Sequence, residues 1–328
     1  MRFRFSLSLR TKRLLTSSLQ CANISRRDPD QDSPSVKYSV VAPMHNEQGN
    51  VRALYDDIKG VMKTLEQSYE IIFVNDASSD QTLAKMREIQ ECDADFHFTD
   101  LATNVGENWA LLAGISKAQG EVIITIDGDY QNDPAYIPHL LQELSKGYRV
   151  VSGRRQERTA AFWTKRLPSQ VANTMIRLVS GVPVHDCGCG LKAYRRETLE
   201  GKFVPKGFMN RFSPVSLGVK GREFSEIEIV DRARIAGQSH YGLGRVFVVL
   251  RDLWVLPFAI RGPASWLSRF RLLFSLFVVL ALILAFWGVW AWVVPAFLLA
   301  AISFSNLLNL KRFVEAQTEP KFRIKEYR

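Results

Sequence analysis

From residue 36 the chain alternates two patterns. Short runs rich in β-branched and aromatic residues, YSVVA (38–42), EIIFVN (70–75), FHFTDLA (96–102), EVIITI (121–126) and YRVVSG (148–153), read as strands. Between them the apolar residues recur at helical spacing, near 48–66, 80–91, 107–118 and onward from Pro134. Strand and helix in alternation predict a mostly parallel α/β sheet of the doubly wound type. FSEIEIV (224–230) reads as a further strand beyond a mixed, basic region. Such sheets bind ligands at the carboxyl ends of their strands, so the residues leaving each strand are where chemistry is expected.

Farther on the pattern changes. Residues 272–310 are 39 consecutive positions without Lys, Arg, Asp, Glu or His. One helix crosses a bilayer core in roughly 20 residues, so two crossings fit, and a single tilted span or re-entrant hairpin is the alternative. The break is expected between Gly288 and Pro295, where Trp290 and Trp292 would sit at the far headgroup level. Arg261, Arg269 and Arg271 precede the run, and Lys311, Arg312, Lys321, Arg323, Lys325 and Arg328 follow it. Both flanks are therefore expected on the cytoplasmic side. Residues 245–262, apolar with sparse Arg, suit a helix lying in the membrane interface.

Composition sharpens this reading at the ends of the chain. Lys and Arg number 43 against 33 Asp and Glu, a formal net charge of +10. Seven of the basic residues fall within residues 1–27, which hold no acid. That stretch fits a transit peptide or a basic disordered arm, and the arm is the expectation taken here. The charge is not read as nucleic-acid binding, because no recognition helix or interleaved aromatic and basic surface accompanies it. Four cysteines are too few for a disulfide scaffold, and Cys187 and Cys189 lack the second Cys/His pair that zinc requires.

Three strand ends carry polar clusters. YSVVA runs into Pro43, Met44, His45, Asn46 and Glu47; EIIFVN into Asp76 through Asp80; and EVIITI into Asp127, Gly128 and Asp129. A lone acid at such a position is as readily a helix cap as a functional group, and Asp80 is read both ways. Asp127 and Asp129 differ, because alternate residues leaving a strand can both turn toward one cation if the backbone bends at the glycine between them. Carboxylate oxygens suit Mg²⁺ or Mn²⁺, which in turn bridge phosphate oxygens.

At this point the segments VAPMHNEQGN, EIIFVNDASSDQT, TNVGENWALLAGISKAQGEVIITIDGDYQNDP, VVSGRR, KRLPS, HDCGCGLKAYRR and RARIAGQSHYG are taken together. In order and spacing they resemble the inverting family-2 glycosyltransferases that act on polyprenyl phosphates. These include the dolichyl-phosphate mannose synthases and the bacterial undecaprenyl-phosphate sugar transferases. The resemblance runs from about residue 36 to the end and includes the C-terminal membrane pair.

The resemblance implies a GT-A type, Rossmann-like fold that transfers a sugar from a UDP- or GDP-linked donor to a polyprenyl phosphate. It implies that Pro43, His45, Glu47 and Asp76, with Asp127, hold the nucleotide. Asp127 and Asp129 would be the catalytic, metal-binding pair for Mg²⁺ or Mn²⁺, with Gln131 as a further ligand. Arg234 and Ser239 would close over the donor diphosphate, and Arg154, Arg166 and Ser169 would hold the acceptor phosphate. Asp186 and Arg195 would be structural or shape the site. The implied partners are the nucleotide sugar, the lipid acceptor, the bilayer and further copies of the chain, at the plasma membrane with the catalytic domain cytoplasmic. The expected division is a basic arm (1–35), a catalytic domain (36–244), interfacial helices (245–270), two transmembrane helices (271–310) and a cytoplasmic tail (311–328).

The chemistry of the residues agrees. A lipid monophosphate is already ionised near neutral pH, so its oxygen needs positioning and charge stabilisation instead of a protein base. Four positions depart from the family pattern: Asn75 where Asp is common, His45 for Tyr, Glu107 for a basic residue or Gln, and His240 for Lys. A processive polysaccharide synthase is a second reading, but its Q-x-x-R-W element is missing. A non-catalytic membrane-tethered protein is a third, and it does not require the intact Asp127 and Asp129.

Overall fold

The protein is described from a computed structural model. It describes residues 36–156, 213–232, 262–316 and 322–328, together with 173–199 apart from 175 and 179, and four residues within 254–258. The N-terminal arm, most of the interfacial segment and the stretch holding Arg234 and Ser239 lie outside them, as do Arg166 and Ser169.

The strands are β1 (Tyr38–Met44), β2 (Tyr69–Asn75), β3 (Phe96–Leu101), β4 (Val122–Thr125), β5 (Val150–Arg155), β6 (Lys192–Arg195), β7 (Phe224–Ile229) and β8 (Ile324–Tyr327). The helices used below are α1 (Val51–Thr64), α2 (Thr82–Gln90), α3 (Glu107–Lys117), α4 (Ile137–Ser145), α5 (Pro263–Phe286) and α6 (Trp290–Ala316). Among the described residues one sheet joins these eight strands in the order β7-β5-β6-β4-β1-β2-β3-β8. β6 lies antiparallel between β4 and β5, and β8 antiparallel on β3; every other pairing is parallel.

The alternation along β1 and β2 explains the two-sided core. Val41 and Ile72 fall in one apolar cluster with Ala110 and Ala113 of α3, while Val40 and Ile71 fall in the other with Leu54 and Ile58 of α1. On α1 the buried residues Val51, Leu54, Tyr55, Ile58 and Met62 follow the helical repeat. From β1 the chain goes to β2 and β3 on one side and reaches β4 on the other. The strand order thus reverses between β1 and β4, and ligands of such sheets occupy the crevice outside that point.

One buried polar group on the α1 face gives a stability test. The Asp93 carboxylate accepts the Tyr55 hydroxyl at 2.6 Å and pairs with Lys59 Nζ at 2.8 Å. Burial works to raise its pKa, but Lys59 and the Tyr55 hydroxyl outweigh burial and hold it below the usual carboxylate value. A depressed folded-state pKa stabilises above the unfolded value and loses that contribution as pH falls through the folded one. Asp93→Asn is expected to cost about 2 kcal/mol at neutral pH. The gap should narrow below about pH 4; melts of both proteins at pH 7 and pH 3 check this, and an undiminished gap at pH 3 would refute it.

α5 and α6 are each long and apolar enough to cross a membrane, and they pack against one another. Their outward side chains, among them Leu272, Phe286 and Trp290, and Trp287 in the turn between them stay exposed on the protein surface. The break is narrower than expected: α5 ends at Phe286, Gly288 takes φ +70° in the turn, and Pro295 lies inside α6. Nor is 263–270 separate from the first apolar helix, since α5 begins at Pro263 and carries Arg269 with its guanidinium 4.7 Å from the Trp266 ring centroid.

The last residues are not a free tail. β8 adds to the edge of β3, with Phe98 N donating to Arg328 O at 2.9 Å, Glu326 pairing with Arg87 at 2.6 Å, and the Tyr327 ring stacked on His97. It covers an otherwise unpaired strand edge and returns the chain from α6 to the α/β domain.

Candidate active site

The loops leaving β1, β2 and β3 are tied into one platform. His45 Nδ1 lies 2.8 Å from the Asp76 carbonyl oxygen, and Asn104 Nδ2 lies 3.1 Å from the same ring. Asn46, at φ +56°, accepts from Ser79 N at 2.8 Å, and its own N–H donates to the Ser78 hydroxyl. Glu47 accepts from Asn50 Nδ2 at 2.6 Å while its N–H donates to Thr82 Oγ1. Asp80 accepts from Thr82 N at 2.9 Å and Gln48 N at 3.1 Å, so it ties the first residue of α2 to the β1 loop.

Asp76 is buried, and its two oxygens accept from Val105 N and Gly106 N, each at 2.8 Å. Those bonds aim the carboxylate at the loop that starts α3. Asn75 replaces a carboxylate where it would face Asp100 across the β2–β3 pairing; instead its amide donates to Asp100 Oδ1 at 2.7 Å. This departure from the family pattern relieves the repulsion two facing acids would have.

Asp127, Gly128 and Asp129 leave β4 beside the exit of β1, at the reversal of strand order. Gly128 is required by close approach: a Cβ there would stand 2.4 Å from Pro43 O. Asp127 is half-buried, and its carboxylate lies directly over Gly190, where a Cβ would come within 1.9 Å of Oδ1. Pro43, Leu111, Thr125, Ile126, Gly190 and Lys192 line the small cavity around it. Thr125 Oγ1 donates to Gly190 O at 2.8 Å and so fixes the backbone beneath the carboxylate. Burial pushes the Asp127 carboxyl well above its usual range, and the charges of Glu107 and Asp129 push the same way; Lys192 and Arg155 only partly oppose them. Asp129 accepts from Gln131 N at 3.1 Å.

Among the described residues no three His, Cys, Asp or Glu side chains form a ready-made cation cage. The arrangement nonetheless fits Mg²⁺ or Mn²⁺. Such ions are held by one or two carboxylates with substrate phosphates completing the shell, and the crowding of like charges at Asp127 is what a divalent cation relieves.

Two features were missed in the sequence. Lys192, buried on β6 opposite Thr125, donates to the Cys189 carbonyl and stands behind Asp127. Its only signal was a lysine between the apolar residues of GLKAY. The second is Arg155, whose Nε and Nη2 hold Asp186 at 2.7 and 3.0 Å. Its neighbour Arg154 faces outward and lies 3.9 Å from Glu228, its partner across β5 and β7. Asp186 is held beside the site by Arg155, whereas Arg195, paired with Val122 at the end of β4 away from Asp127, donates to the Tyr148 and Leu144 carbonyls and so ties strands together there.

Comparison with known proteins places this geometry among relatives. The family described as Glycosyl transferase family 2 matches residues 39–202. The dodecaprenyl-phosphate galacturonate synthase of Rhizobium johnstonii is 34% identical over 241 residues, covering 72% of this chain and 70% of its own. The undecaprenyl-phosphate 4-deoxy-4-formamido-L-arabinose transferase of Pseudomonas aeruginosa is 32% identical over 261 residues, covering 77% and 76%. Among solved structures, glucosyl-3-phosphoglycerate synthase of Mycobacterium tuberculosis, in complex with Mn²⁺, uridine diphosphate and phosphoglyceric acid, aligns with a TM-score of 0.52 at 20% identity. That alignment covers 69% of this chain and 79% of the other, and the likeness is one of fold.

Proposed function

The chain belongs to glycosyl transferase family 2, and on that premise we propose that it transfers a sugar from a nucleotide sugar to a polyprenyl phosphate, inverting the anomeric configuration. The observation that carries the reading is the pair Asp127 and Asp129 at the reversal of strand order, in a chain that also has two helices able to span a bilayer. The two relatives named for dodecaprenyl- and undecaprenyl-phosphate support the acceptor class.

In this reading Asp127 and Asp129, with Gln131, hold Mg²⁺ or Mn²⁺. Bound there, the cation offsets charge developing on the departing nucleoside diphosphate. Pro43, His45 and Glu47 line the nucleotide side, and Asp76 supports it by holding residues 105 and 106. Arg234 and Ser239 close over the diphosphate. Arg154, Arg166 and Ser169 hold the acceptor phosphate through charge-assisted hydrogen bonds. The acceptor oxygen is already anionic, so these residues align it with the anomeric carbon and no side chain needs to remove a proton. The carboxylate of Asp127, seated over Gly190, supplies a fixed charge that does not have to reorganise during transfer.

The same reading assigns residues 36–244 to catalysis on the cytoplasmic side of the plasma membrane. α5 and α6 anchor the chain, and further copies associate through them. The test uses purified full-length protein in detergent with undecaprenyl phosphate and a panel of UDP- and GDP-sugars. Mass spectrometry is expected to find a lipid-phosphate sugar from at least one donor; none across the panel would refute the function.

A further inference from the structure

Resting on the proposed function, we infer that Arg232 is a positioning residue that fixes the loop after Asp127 and Asp129 to the exit of β7, from which the segment bearing Arg234 and Ser239 departs. Arg232 is two residues before Arg234, and it absorbs none of the roles assigned above.

The contacts converge on one guanidinium. Nη1 reaches Asp57 Oδ2 on α1 at 2.5 Å, Nη2 reaches Asp133 Oδ1 at 2.7 Å, and the guanidinium carbon lies 4.7 Å from the Tyr130 ring centroid. The Tyr130 hydroxyl donates to the same Asp57 oxygen at 2.7 Å. The main chain joins in, with Arg232 N donating to Gln131 O at 2.7 Å. On its other side the preceding residue, Asp231, accepts from Asn132 Nδ2 at 3.2 Å and lies 3.7 Å from Arg155 Nη1. Residues 130–133 and 231–232 are therefore stapled through both side chains and backbone.

The staple has something to hold. Tyr130 takes φ +64° immediately after Asp129, a left-handed conformation that costs a non-glycine residue roughly 1 kcal/mol or more and persists only where surroundings enforce it. The ring stack and the Asp57 hydrogen bond supply that enforcement, and the conformation sets the direction in which the chain leaves Asp129. An isolated surface ion pair contributes little. Here a planar fork bridges two carboxylates while its face covers an aromatic ring, a combination lysine cannot reproduce. The loop that follows the metal-assigned carboxylates and the last two residues described before the diphosphate-assigned segment therefore share one fixed reference.

The test compares Arg232→Ala and Arg232→Lys with the unmutated full chain in detergent. Hydrogen exchange is followed in the peptide spanning 126–136, and calorimetry measures UDP and GDP binding with and without Mn²⁺. The alanine variant is expected to exchange faster in that peptide, with peptides of β1 and β2 unchanged. It should also bind the nucleoside diphosphate at least tenfold more weakly with Mn²⁺ present, and the lysine variant should fall between. Asp57→Asn, which weakens the anchor on α1 for both Arg232 and Tyr130 while leaving the sequence of the loop unchanged, should shift both readouts in the same direction and guards against misfolding of the arginine variants. Unchanged exchange in 126–136, or Mn²⁺-dependent affinity equal to the unmutated chain, would overturn the inference. Failure of the unmutated chain to bind either nucleotide with Mn²⁺ would instead overturn the proposed function, while the exchange result still judges the staple.

Discussion

Asp127→Asn and Asp129→Asn are each expected to reduce sugar transfer by about 10²- to 10³-fold while leaving the protein folded. The asparagine keeps the shape of the side chain, so Asp127→Asn still seats over Gly190 and loses only charge. Asp127 lies among the like charges of Glu107 and Asp129, and removing one of three converging charges relieves repulsion. The melting temperature of metal-free Asp127→Asn should therefore stand at or above that of the unmutated chain. Transfer rates and melts on the same preparations separate the two effects. Undiminished transfer in both variants would remove the metal assignment, and a large drop in melting temperature would make the carboxylate a structural group.

Gly190→Ala is expected to cost transfer on a similar scale, about a hundredfold, although position 190 carries no chemistry of its own. Its added Cβ would fall 1.9 Å from Asp127 Oδ1 and 2.3 Å from Oδ2. One of the two groups must move. The Gly190 backbone is held by Thr125 and flanked by the buried Cys189 and Leu191, so the carboxylate is the group that gives way. A misplacement of about 1 Å at a reacting centre is enough for a loss of this size. Circular dichroism should remain that of the unmutated protein while activity falls; near-normal transfer would mean that Asp127 does not act from its seat over Gly190.

The physical origin of these two effects divides along the line between local and non-local information. β1 to β5 and β7 were legible because each is a run of β-branched and aromatic residues with a burial pattern that a sheet interior demands. β6 and β8 were not. KAYR is charged at both ends and IKEY at its two central positions, each only four residues long, and nothing in them marks a strand until β4 and β5, or β3, supply the partner. The charged tail read as a membrane flank accordingly became a sheet edge. The break between α5 and α6 was legible to within a few residues, because glycine ends a helix locally, whereas Pro295 is the sixth residue of α6 and does not mark its start.

The site shows the same division. Asp127 and Asp129 were legible because their spacing and their place after an apolar strand are local facts. Asp76 was legible as a polar strand end, but the donors to its oxygens, Val105 N and Gly106 N, are 29 and 30 residues away. The neighbouring arginines of β5 put the matter most plainly. A strand's period of two requires Arg154 and Arg155 to face opposite ways, and the sequence by itself determined that much, along with the α/β order, the acidic pair and the apolar helices. Only the tertiary structure decided which arginine turns inward: pairing with β7 opposes Arg154 to Glu228 at the surface, while Asp186, brought in by the loop before β6, holds Arg155 inside. Register between distant strands depends on contacts that no single segment encodes, so the positions that depend on register become readable only when the sheet is assembled.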